Sequence, residues 1–339
     1  MEIQKNFPLK KINTFGIDVN AKYFVNVESE DQLRGIFSDS KYSNLHRLIL
    51  GGGSNILLTR DFSGLVIKVS IPGIKILEEN EKSVFIEAGA GVVWHDLVSF
   101  SVKRNLGGIE NLSLIPGTVG AAPIQNIGAY GQELKDSFYS LSAFNIKNHS
   151  TIEMNSAECK FGYRYSIFKN ELREKFIITK VTLKLQKNPV LNIEYGNLNE
   201  ELKKSGKESF SVKDVSDVIC KIRQSKLPDP NFIGNAGSFF KNPEIPNPRF
   251  KILNEKFSGI IGHEIPGNKT KIAAAWLIEQ CGWKGKRIEN VGVHEKHALV
   301  LVNYGGATGK EILVLVNKII ADIKEKFDLE LTPEVNLIS

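Results

Sequence analysis

The sequence predicts a soluble protein of mixed helices and strands, organised in about two to three domains. The chain of 339 residues is longer than one ordinary hydrophobic core can accommodate. Short apolar strands run directly into glycine-rich loops, and later segments show apolar residues at helical spacing. A hydrophobic content of 42% with 24% charged residues is typical of globular proteins.

Composition argues against several other classes of protein. No apolar run approaches the roughly 18 residues needed to span a bilayer. The first residues lack the apolar core of a signal peptide, so we expect a cytoplasmic protein without a membrane partner. Cys159, Cys220 and Cys281 are far apart and odd in number, which argues against a disulfide framework or a zinc cluster. The net charge of +6 comes from scattered lysines and supports a small anionic ligand as well as it supports nucleic acid.

The first third of the chain alternates strand patterns with glycine loops. Residues 13–16 are turn-like, residues 23–27 alternate as in a strand, and Ser29 with Gln32 matches a helix capping box. Apolar strands at 48–50 and 84–86 then run into loops.

These loops, at 51–55 and 89–91, are rich in glycine, which lets backbone N–H groups reach phosphate oxygens. A third loop, 115–131, contains too many small residues to fill a core and is better suited to wrap a ligand. The spacing of the glycines is neither that of a Rossmann fingerprint nor that of a phosphate-binding P-loop. Together, the three loops favour a bound dinucleotide or flavin.

The later elements are mainly helical. Apolar residues at helical spacing predict helices over 93–101, 212–222, 271–280 and 310–326. From Phe327 onward, alternation predicts a final strand that turns Glu334 away from its apolar face. His294 and His297 lie outside any metal-binding motif, so no metal site is predicted.

Three polar positions are candidates for chemistry. Arg164, within residues 162–166, is a planar cation suited to a carboxylate, although it could equally stack on a neighbouring tyrosine. Tyr195 is equally consistent with a simple turn. Ser238 offers a hydroxyl within the segment 235–243, whose alternative interpretation is a strand with two buried phenylalanines.

Seven motifs, in order, resemble the UDP-N-acetylenolpyruvoylglucosamine reductase family. They span nearly the whole chain and are residues 13–17, 51–55, 115–131, 161–164, 226–230, 235–243 and 333–335. Tyr195 in its Glu-Tyr-Gly context is similar to the branch of the family that closes a tyrosine-bearing loop over the substrate diphosphate.

This resemblance implies an α+β fold. An FAD-binding part of the vanillyl-alcohol-oxidase type would comprise two subdomains, 1–72 and 73–222. A substrate-binding α+β domain would follow at 223–328, and a C-terminal strand at 329–339 would carry Glu334 back to the active site.

The resemblance also implies roles for individual residues. FAD would be held by Gly51, Gly52, Gly53, Ser54, Asn55, Pro116, Gly117, Thr118, Gly120, Ala121, Gln125, Asn126 and Gly128. Ser238 would protonate C2 of the substrate, Arg164 would stabilise its carboxylate, and Glu334 would orient that assembly or assist proton delivery. The substrate diphosphate would be contacted by Tyr195, Lys226, Asn242 and Lys271.

The implied reaction is the NADPH-dependent, FAD-mediated reduction of UDP-N-acetylglucosamine enolpyruvate to UDP-N-acetylmuramate, in peptidoglycan precursor synthesis. The expected protein is a cytoplasmic monomer with a small-molecule substrate and no nucleic-acid partner. One alternative is a flavin-dependent alcohol or aldehyde oxidase on the same fold, which should lack the set Ser238, Arg164 and Glu334. Another is a non-enzymatic nucleotide-sugar binding protein.

Overall fold

The structure, a computed structural model, describes residues 2–339 and divides into two compact units. Unit 1 contains residues 2–7, Ala21–Gly52 and Ser63–Ser225, and unit 2 contains Pro8–Asn20, Gly53–Phe62 and Lys226–Ser339. The domain boundaries after residues 72, 222 and 328 stay predictions.

The regular elements alternate along the whole chain. The strands are β1 (Gln4–Pro8), β2 (Asn20–Val27), β3 (Arg47–Leu50), β4 (Ile56–Leu58), β5 (Phe62–Val69), β6 (Ile74–Glu79), β7 (Ser83–Gly89), β8 (Gly128–Ala129), β9 (Gln132–Glu133), β10 (Phe138–Asn145), β11 (Thr151–Asn155), β12 (Phe176–Gln186), β13 (Gly234–Ser238), β14 (Glu244–Pro246), β15 (Gly262–Ile265), β16 (Lys269–Ile272), β17 (Arg287–Ile288), β18 (Val291–Val293), β19 (Val300–Asn303) and β20 (Asn336–Ile338). The helices are α1 (Glu30–Ser38), α2 (Ser40–Ser43), α3 (Trp94–Val102), α4 (Ser156–Cys159), α5 (Leu198–Lys203), α6 (Val212–Lys226), α7 (Asn247–Lys256), α8 (Ala274–Gln280) and α9 (Gly309–Phe327).

Unit 1 is built on two main sheets. One has the strand order β1-β2-β5-β3, and the other has the order β11-β10-β12-β7-β6. The central strand β12 is buried along most of its length, and its apolar residues pack with α3 and the 3-10 helix Val119–Gln125 in the main core of the unit. This core therefore lies directly beneath the loops predicted to bind a cofactor.

Unit 2 contains smaller sheets and the longest helix. Its sheets have the orders β13-β19-β18-β17 and β14-β16-β15, and β20 pairs in parallel with β4. Helix α9 starts with a capping box in which Thr308 accepts from the Glu311 N–H and Glu311 accepts from the Thr308 N–H. It ends at Asp328, whose left-handed backbone (φ +52°) stops the helix.

Most predicted elements of the first part of the chain are confirmed. The strands expected at 23–27, 48–50 and 84–86 lie in β2, β3 and β7, and the helices expected at 93–101, 212–222 and 310–326 correspond to α3, α6 and α9. The Ser29 cap is present, since its hydroxyl accepts from the Gln32 N–H, but the Gln32 side chain accepts from Glu28 rather than from Ser29.

The helix predicted over residues 271–280 is wrong in its first turn. Strand β16 occupies Lys269–Ile272, and α8 begins only at Ala274. Thr270 and Ile272 are buried while the lysines beside them are not, so the four residues follow the two-residue period of a strand. Lys271 accordingly lies on a central strand.

The strand predicted from Phe327 onward is also wrong over most of its length. Phe327 is the last residue of α9 and is buried on the same face as Ile323, one turn earlier. Leu329 and Leu331 are buried as the alternation predicts, but regular strand pairing is limited to β20. Over residues 2–339, no helix is both long enough and apolar enough to cross a membrane.

Candidate active site

The first and third glycine loops pack directly against each other in unit 1. A Cβ atom added to Gly51 would lie 2.5 Å from Thr118 Oγ1, and one added to Gly52 would lie 3.0 Å from Gly117 Cα. Real Cβ atoms essentially never approach other atoms closer than 3.0 Å, so Gly51 has no space for a side chain. The small residues here are needed because two backbones meet.

The second loop joins the same arrangement. A Cβ added to Gly120 would lie 2.5 Å from Ala90 Cβ, and the Gly120 N–H donates to the Ala90 carbonyl at 2.9 Å. Next to this contact, the Val119 N–H donates to Val92 O, also at 2.9 Å. The three loops that the sequence singled out are therefore neighbours in space.

Polar groups of these loops fit a diphosphate-bearing cofactor. Within the described residues, Thr118 Oγ1 is buried and has no hydrogen-bond partner. Over the same residues, no hydrogen bond is donated by the backbone N–H of Gly52. Unpaired donors cost free energy unless a ligand or water accepts from them, and phosphate oxygens are suitable acceptors. The loops therefore fit the diphosphate of FAD.

The predicted cofactor residues occupy a few connected segments. Gly51–Asn55 joins β3 to β4, Pro116–Thr118 precedes the 3-10 helix, which holds Gly120, Ala121 and Gln125, and Asn126 and Gly128 follow it. Asn126 is fully buried with left-handed backbone (φ +45°), and its side chain donates to Glu133 and to the Gly162 carbonyl. Its role within this structure is thus to tie the third loop to the segment that carries Arg164.

Arg164 lies in a tight turn held against the third loop. The Gly162 N–H donates to the Tyr165 carbonyl at 3.0 Å, and the Tyr165 N–H donates back at 3.1 Å. Ser166 donates to Ile124 O at 2.7 Å. Arg164 itself has φ +50°, and its Nη2 donates to Gly128 O at 2.7 Å. Half-buried and bonded to a carbonyl, the guanidinium has a defined position.

Tyr195 lies on a surface loop beside the end of the third loop. Its ring is 59% exposed and meets the Tyr130 ring edge-on at 6.3 Å. The buried Asn111 amide donates to the carbonyls of Tyr130 (2.8 Å) and Asn192 (2.7 Å). Asn111 thereby joins the two segments that carry the tyrosines. Burial raises the pKa of Tyr130, which keeps its hydroxyl protonated as a donor.

Helix α6 contributes a cation near this region that sequence reasoning missed. Arg223 has neither a hydrogen bond nor an ion pair within residues 2–339, and its Nε is sealed from solvent. Burial lowers the pKa of Arg223, and the neighbouring Tyr130 and Cys220 oppose that effect. No sequence signal distinguishes this arginine, because it falls on a helix whose apolar pattern dominates.

Ser238 is the last residue of β13, and a bulge sets its orientation. Asn235 pairs with Val302 and Ser238 with Val300, so two residues of β13 face one of β19. Gly237 at φ +69° provides the bulge, and its N–H donates to Asn235 Oδ1 at 3.0 Å. Ser238 is half-buried beyond it. Phe239 and Phe240 are buried, as the alternative interpretation expected, but they lie just beyond the end of β13 and not within it.

Glu334 lies next to this strand end within unit 2. Its N–H donates to the Phe239 carbonyl at 2.7 Å, and Phe240 forms a β-bridge with Pro333. Glu334 is half-buried, and its carbonyl accepts from Asn55 Nδ2 at 3.4 Å. The structure therefore brings Ser238, Glu334 and Asn55 into one neighbourhood.

The remaining predicted substrate residues occupy separate places. Asn242 is half-buried, and its Oδ1 accepts from the Ala274 N–H at 2.9 Å, which caps α8 and directs the amide nitrogen away from the helix. Lys271 lies on β16, paired with Glu244 on one side and His263 on the other. Lys226 is exposed at the end of α6.

The turn-like segment 13–16 has a structural explanation. The Thr14 N–H donates to the Gly53 carbonyl at 3.1 Å, and the Asn235 N–H donates to the Thr14 carbonyl at 3.0 Å. Gly53, at φ +63°, leaves no space for a Cβ against Ile12 O. This segment thus connects the first glycine loop to the strand that carries Ser238.

Two family models match the chain. One is described as an FAD binding domain and matches residues 21–147. The other is the C-terminal domain of UDP-N-acetylenolpyruvoylglucosamine reductase and matches residues 229–338. The first confirms the FAD expected from the glycine loops.

Curated relatives extend this likeness over the full length. A UDP-N-acetylenolpyruvoylglucosamine reductase of Flavobacterium johnsoniae is 49% identical over 339 residues, covering 100% of both chains. One of Pseudomonas aeruginosa is 45% identical over 337 residues, covering 99% of both. The crystal structure of the reductase from Thermus caldophilus matches with a TM-score of 0.68 at 24% identity, covering 100% of this chain and 98% of that one, and agrees with the predicted α+β fold. The chain therefore belongs to the UDP-N-acetylenolpyruvoylglucosamine reductase family of FAD-dependent oxidoreductases.

Proposed function

We propose that the protein reduces UDP-N-acetylglucosamine enolpyruvate to UDP-N-acetylmuramate with NADPH, as a step of peptidoglycan precursor synthesis. The observation that carries this proposal is the pairing of segments 239–241 and 332–334, which brings a serine hydroxyl and a carboxylate to one strand end. An oxidase that removes hydride from an alcohol has no need for a proton donor and a carboxylate in that arrangement.

FAD, when bound, accepts a hydride from NADPH and delivers it to C3 of the enolpyruvyl group. Gly51–Ser54 and Pro116–Ala121 would hold it, since backbone N–H groups and the Thr118 hydroxyl are available to its diphosphate. Gln125, Asn126 and Gly128 would complete the same surface, with Asn126 acting through the loop that it orders, and Asn55 is assigned to FAD by the family resemblance alone.

Hydride addition at C3 leaves negative charge at C2, delocalised into the adjacent carboxylate. Such charge needs fixed donors and then a proton. Ser238 would donate that proton, which is feasible because a carbanionic carbon is far more basic than a serine alkoxide. Glu334, whose N–H donates to the carbonyl of Phe239 next to Ser238, would orient the bound carboxylate or assist proton delivery.

Arg164 would stabilise the substrate carboxylate. Its guanidinium is fixed by the Gly128 carbonyl and by the turn at 162–165, so little conformational freedom is lost when an anion binds. A planar fork matches the two carboxylate oxygens better than the point charge of a lysine does.

Tyr195, Lys226, Asn242 and Lys271 would contact the substrate diphosphate. The exposure of the Tyr195 ring and of Lys226 suits groups that close on a ligand from solvent. The capping bond to Ala274 orients Asn242 so that its amide N–H groups can donate to phosphate.

The proposal also places the reaction in the cytoplasm and makes the protein a monomer. Its three cysteines are free thiols, which fits a reducing compartment. Sedimentation equilibrium of the FAD-loaded protein would measure the oligomeric state directly.

An anaerobic absorbance experiment tests the function. The flavin band of the purified protein should bleach with NADPH and return, without oxygen, on addition of UDP-N-acetylglucosamine enolpyruvate. A protein that binds FAD but regains its colour only with oxygen would instead be an oxidase. A protein that remains colourless in the presence of FAD would be a non-enzymatic nucleotide-sugar binder.

A further inference from the structure

Leu114 adopts a backbone conformation that its side chain disfavours. Its φ is +55°, in the left-handed region that is unfavourable for a residue with a Cβ. It immediately precedes Ile115 and the predicted cofactor residues Pro116–Thr118. A left-handed residue turns the chain sharply, so the direction in which this loop leaves the core depends on Leu114.

A histidine side chain holds this conformation. The Leu114 N–H donates to Nδ1 of His95, the second residue of α3, at 3.1 Å. An acceptor Nδ1 carries no proton, so the ring is neutral with its hydrogen on Nε2. The half-buried imidazole therefore supplies the bond that no backbone carbonyl supplies at this position.

The start of α3 holds the same loop on both sides of Leu114. Trp94 Nε1 donates to Leu112 O at 2.9 Å, and the Trp94 N–H donates to Gly117 O at 3.0 Å. These two bonds fix the ends of the segment, and His95 fixes its middle. Ser113, just before Leu114, is also held, since its hydroxyl donates to Glu110 O at 2.6 Å, so the imidazole supplies the bond at Leu114 itself.

Burial favours the neutral form of His95. Burial lowers the pKa of His95, and the Arg223 guanidinium on α6 lowers it further, while Asp96 on its own helix raises it. The net direction is downward, away from the ordinary value near 6.5.

We propose that His95 is a positioning residue for the cofactor, whose unprotonated Nδ1 holds Leu114 in its left-handed conformation and so presents Pro116–Thr118 to FAD. The proposal rests on the assignment of those three residues to FAD in the proposed function. It adds a residue that touches neither cofactor nor substrate.

The proposal makes FAD binding depend on pH in a defined direction. Protonation of Nδ1 turns the acceptor into a donor and breaks the bond to Leu114. The pKa of His95 in the folded protein already lies below its ordinary value, so FAD affinity falls as the pH decreases through that lowered pKa.

The experiment measures FAD dissociation constants of the apoprotein over a pH series from about 8 down to about 5, which extends below the ordinary histidine pKa. His95→Ala should weaken FAD binding at the higher pH by roughly ten- to a hundredfold, because the half-buried Leu114 N–H loses its acceptor. His95→Asn, whose Oδ1 can replace Nδ1 but does not titrate, should retain affinity and lose the decrease at low pH. His149→Asn is the matched control, since it removes a histidine elsewhere in unit 1 and should keep that decrease.

Two measurements separate the proposal from a general loss of folding or of function. Hydrogen exchange of the peptide around Leu114 should accelerate in His95→Ala, with thermal unfolding otherwise unchanged. Leu114→Gly, which removes the cost of the left-handed backbone, should restore part of the FAD affinity of His95→Ala. If the wild-type protein binds FAD and His95→Ala binds it equally well, or if His95→Asn keeps the full decrease at low pH, the proposal is overturned while the proposed function stands. A wild-type protein that binds no FAD would overturn both.

Discussion

At the residue scale, three residues in or beside the segments assigned to the proposed site have left-handed backbone. Leu114, Tyr130 and Arg164 have φ of +55°, +48° and +50°, and none of them is a residue type that favours this region. Each costs free energy that surrounding hydrogen bonds must offset. The sequence could identify Arg164 by its chemistry, but it contains no signal for the conformation, because that depends on contacts with distant segments.

Ser238→Ala should separate the two half-reactions. NADPH should still bleach the flavin at the wild-type rate, since hydride transfer to FAD needs no proton from Ser238. Reoxidation by the enolpyruvyl substrate should slow by roughly two to four orders of magnitude, the range for a positioned proton donor. Anaerobic stopped-flow spectroscopy measures both rates.

The control for this variant is Ser205→Ala, which removes a hydroxyl that bonds only to the Leu202 carbonyl at a helix end in unit 1. Both rates should stay at wild-type values there. Equal loss of both half-reactions in Ser238→Ala would show that the serine supports the flavin or the fold, and the proton-donor role would be wrong.

Arg164 should matter through its charge and its planar shape. Arg164→Gln should slow reoxidation by the substrate by roughly ten- to a thousandfold, because a fixed cation no longer stabilises the developing charge. Arg164→Lys should recover part of the lost reoxidation rate, since a lysine keeps the positive charge but lacks the planar guanidinium with its paired donors. FAD content and the NADPH half-reaction serve as controls. Loss of FAD in both variants would assign Arg164 to cofactor binding instead.

At the scale of elements, the three glycine loops show what a sequence can and cannot reveal. Their small residues let the loops pack closely together, and the FAD binding domain model covers all three. The specific contacts, Gly51 with Thr118 and Gly120 with Ala90, join segments far apart in the chain. Local patterns do not encode such pairings. A related limit explains why β16 was not predicted. Its strand alternation covers only four residues just before a helix, and a pattern of that length is too short to be recognised.

Gly120→Ala should disturb the cofactor surface without touching the catalytic residues. The new Cβ would lie 2.5 Å from Ala90 Cβ, so the second and third loops must separate. Overpacking of this kind costs about 1 to 3 kcal/mol, and FAD should dissociate more readily. Thermal unfolding with and without FAD measures both effects.

Gly35→Ala is the matched control in the same unit. Gly35 lies within α1, and an added Cβ would meet nothing within 4 Å. Alanine is favoured over glycine in a helix by roughly 0.5 to 1 kcal/mol, so this variant should be slightly more stable with unchanged FAD affinity. A Gly120→Ala protein that matches Gly35→Ala would contradict the packing argument.

At the scale of the whole molecule, the site depends on pairings that cross most of the sequence. Ser238 and Glu334 are neighbours because segment 332–334 pairs with 239–241, and Asn55 joins them through β4 and β20. The alternating pattern correctly predicted that Leu329 and Leu331 are buried. It could not identify the segment with which residues 332–334 pair. The roles of these residues came from their resemblance to a family, and the structure supplied the contacts that make the roles physically reasonable.

The last prediction concerns the order in which the whole enzyme uses its two substrates. NADPH and the sugar nucleotide both carry a diphosphate, and the proposal gives both the same donors in turn, which predicts ping-pong kinetics with parallel double-reciprocal lines. Lys226→Met should then raise the KM for both substrates by a similar factor, roughly tenfold for one lost charged hydrogen bond, because one cation serves two ligands. Lys221→Met, also exposed on α6, should change neither. Intersecting lines, or an increase in only one KM, would mean that the two diphosphates bind at separate sites.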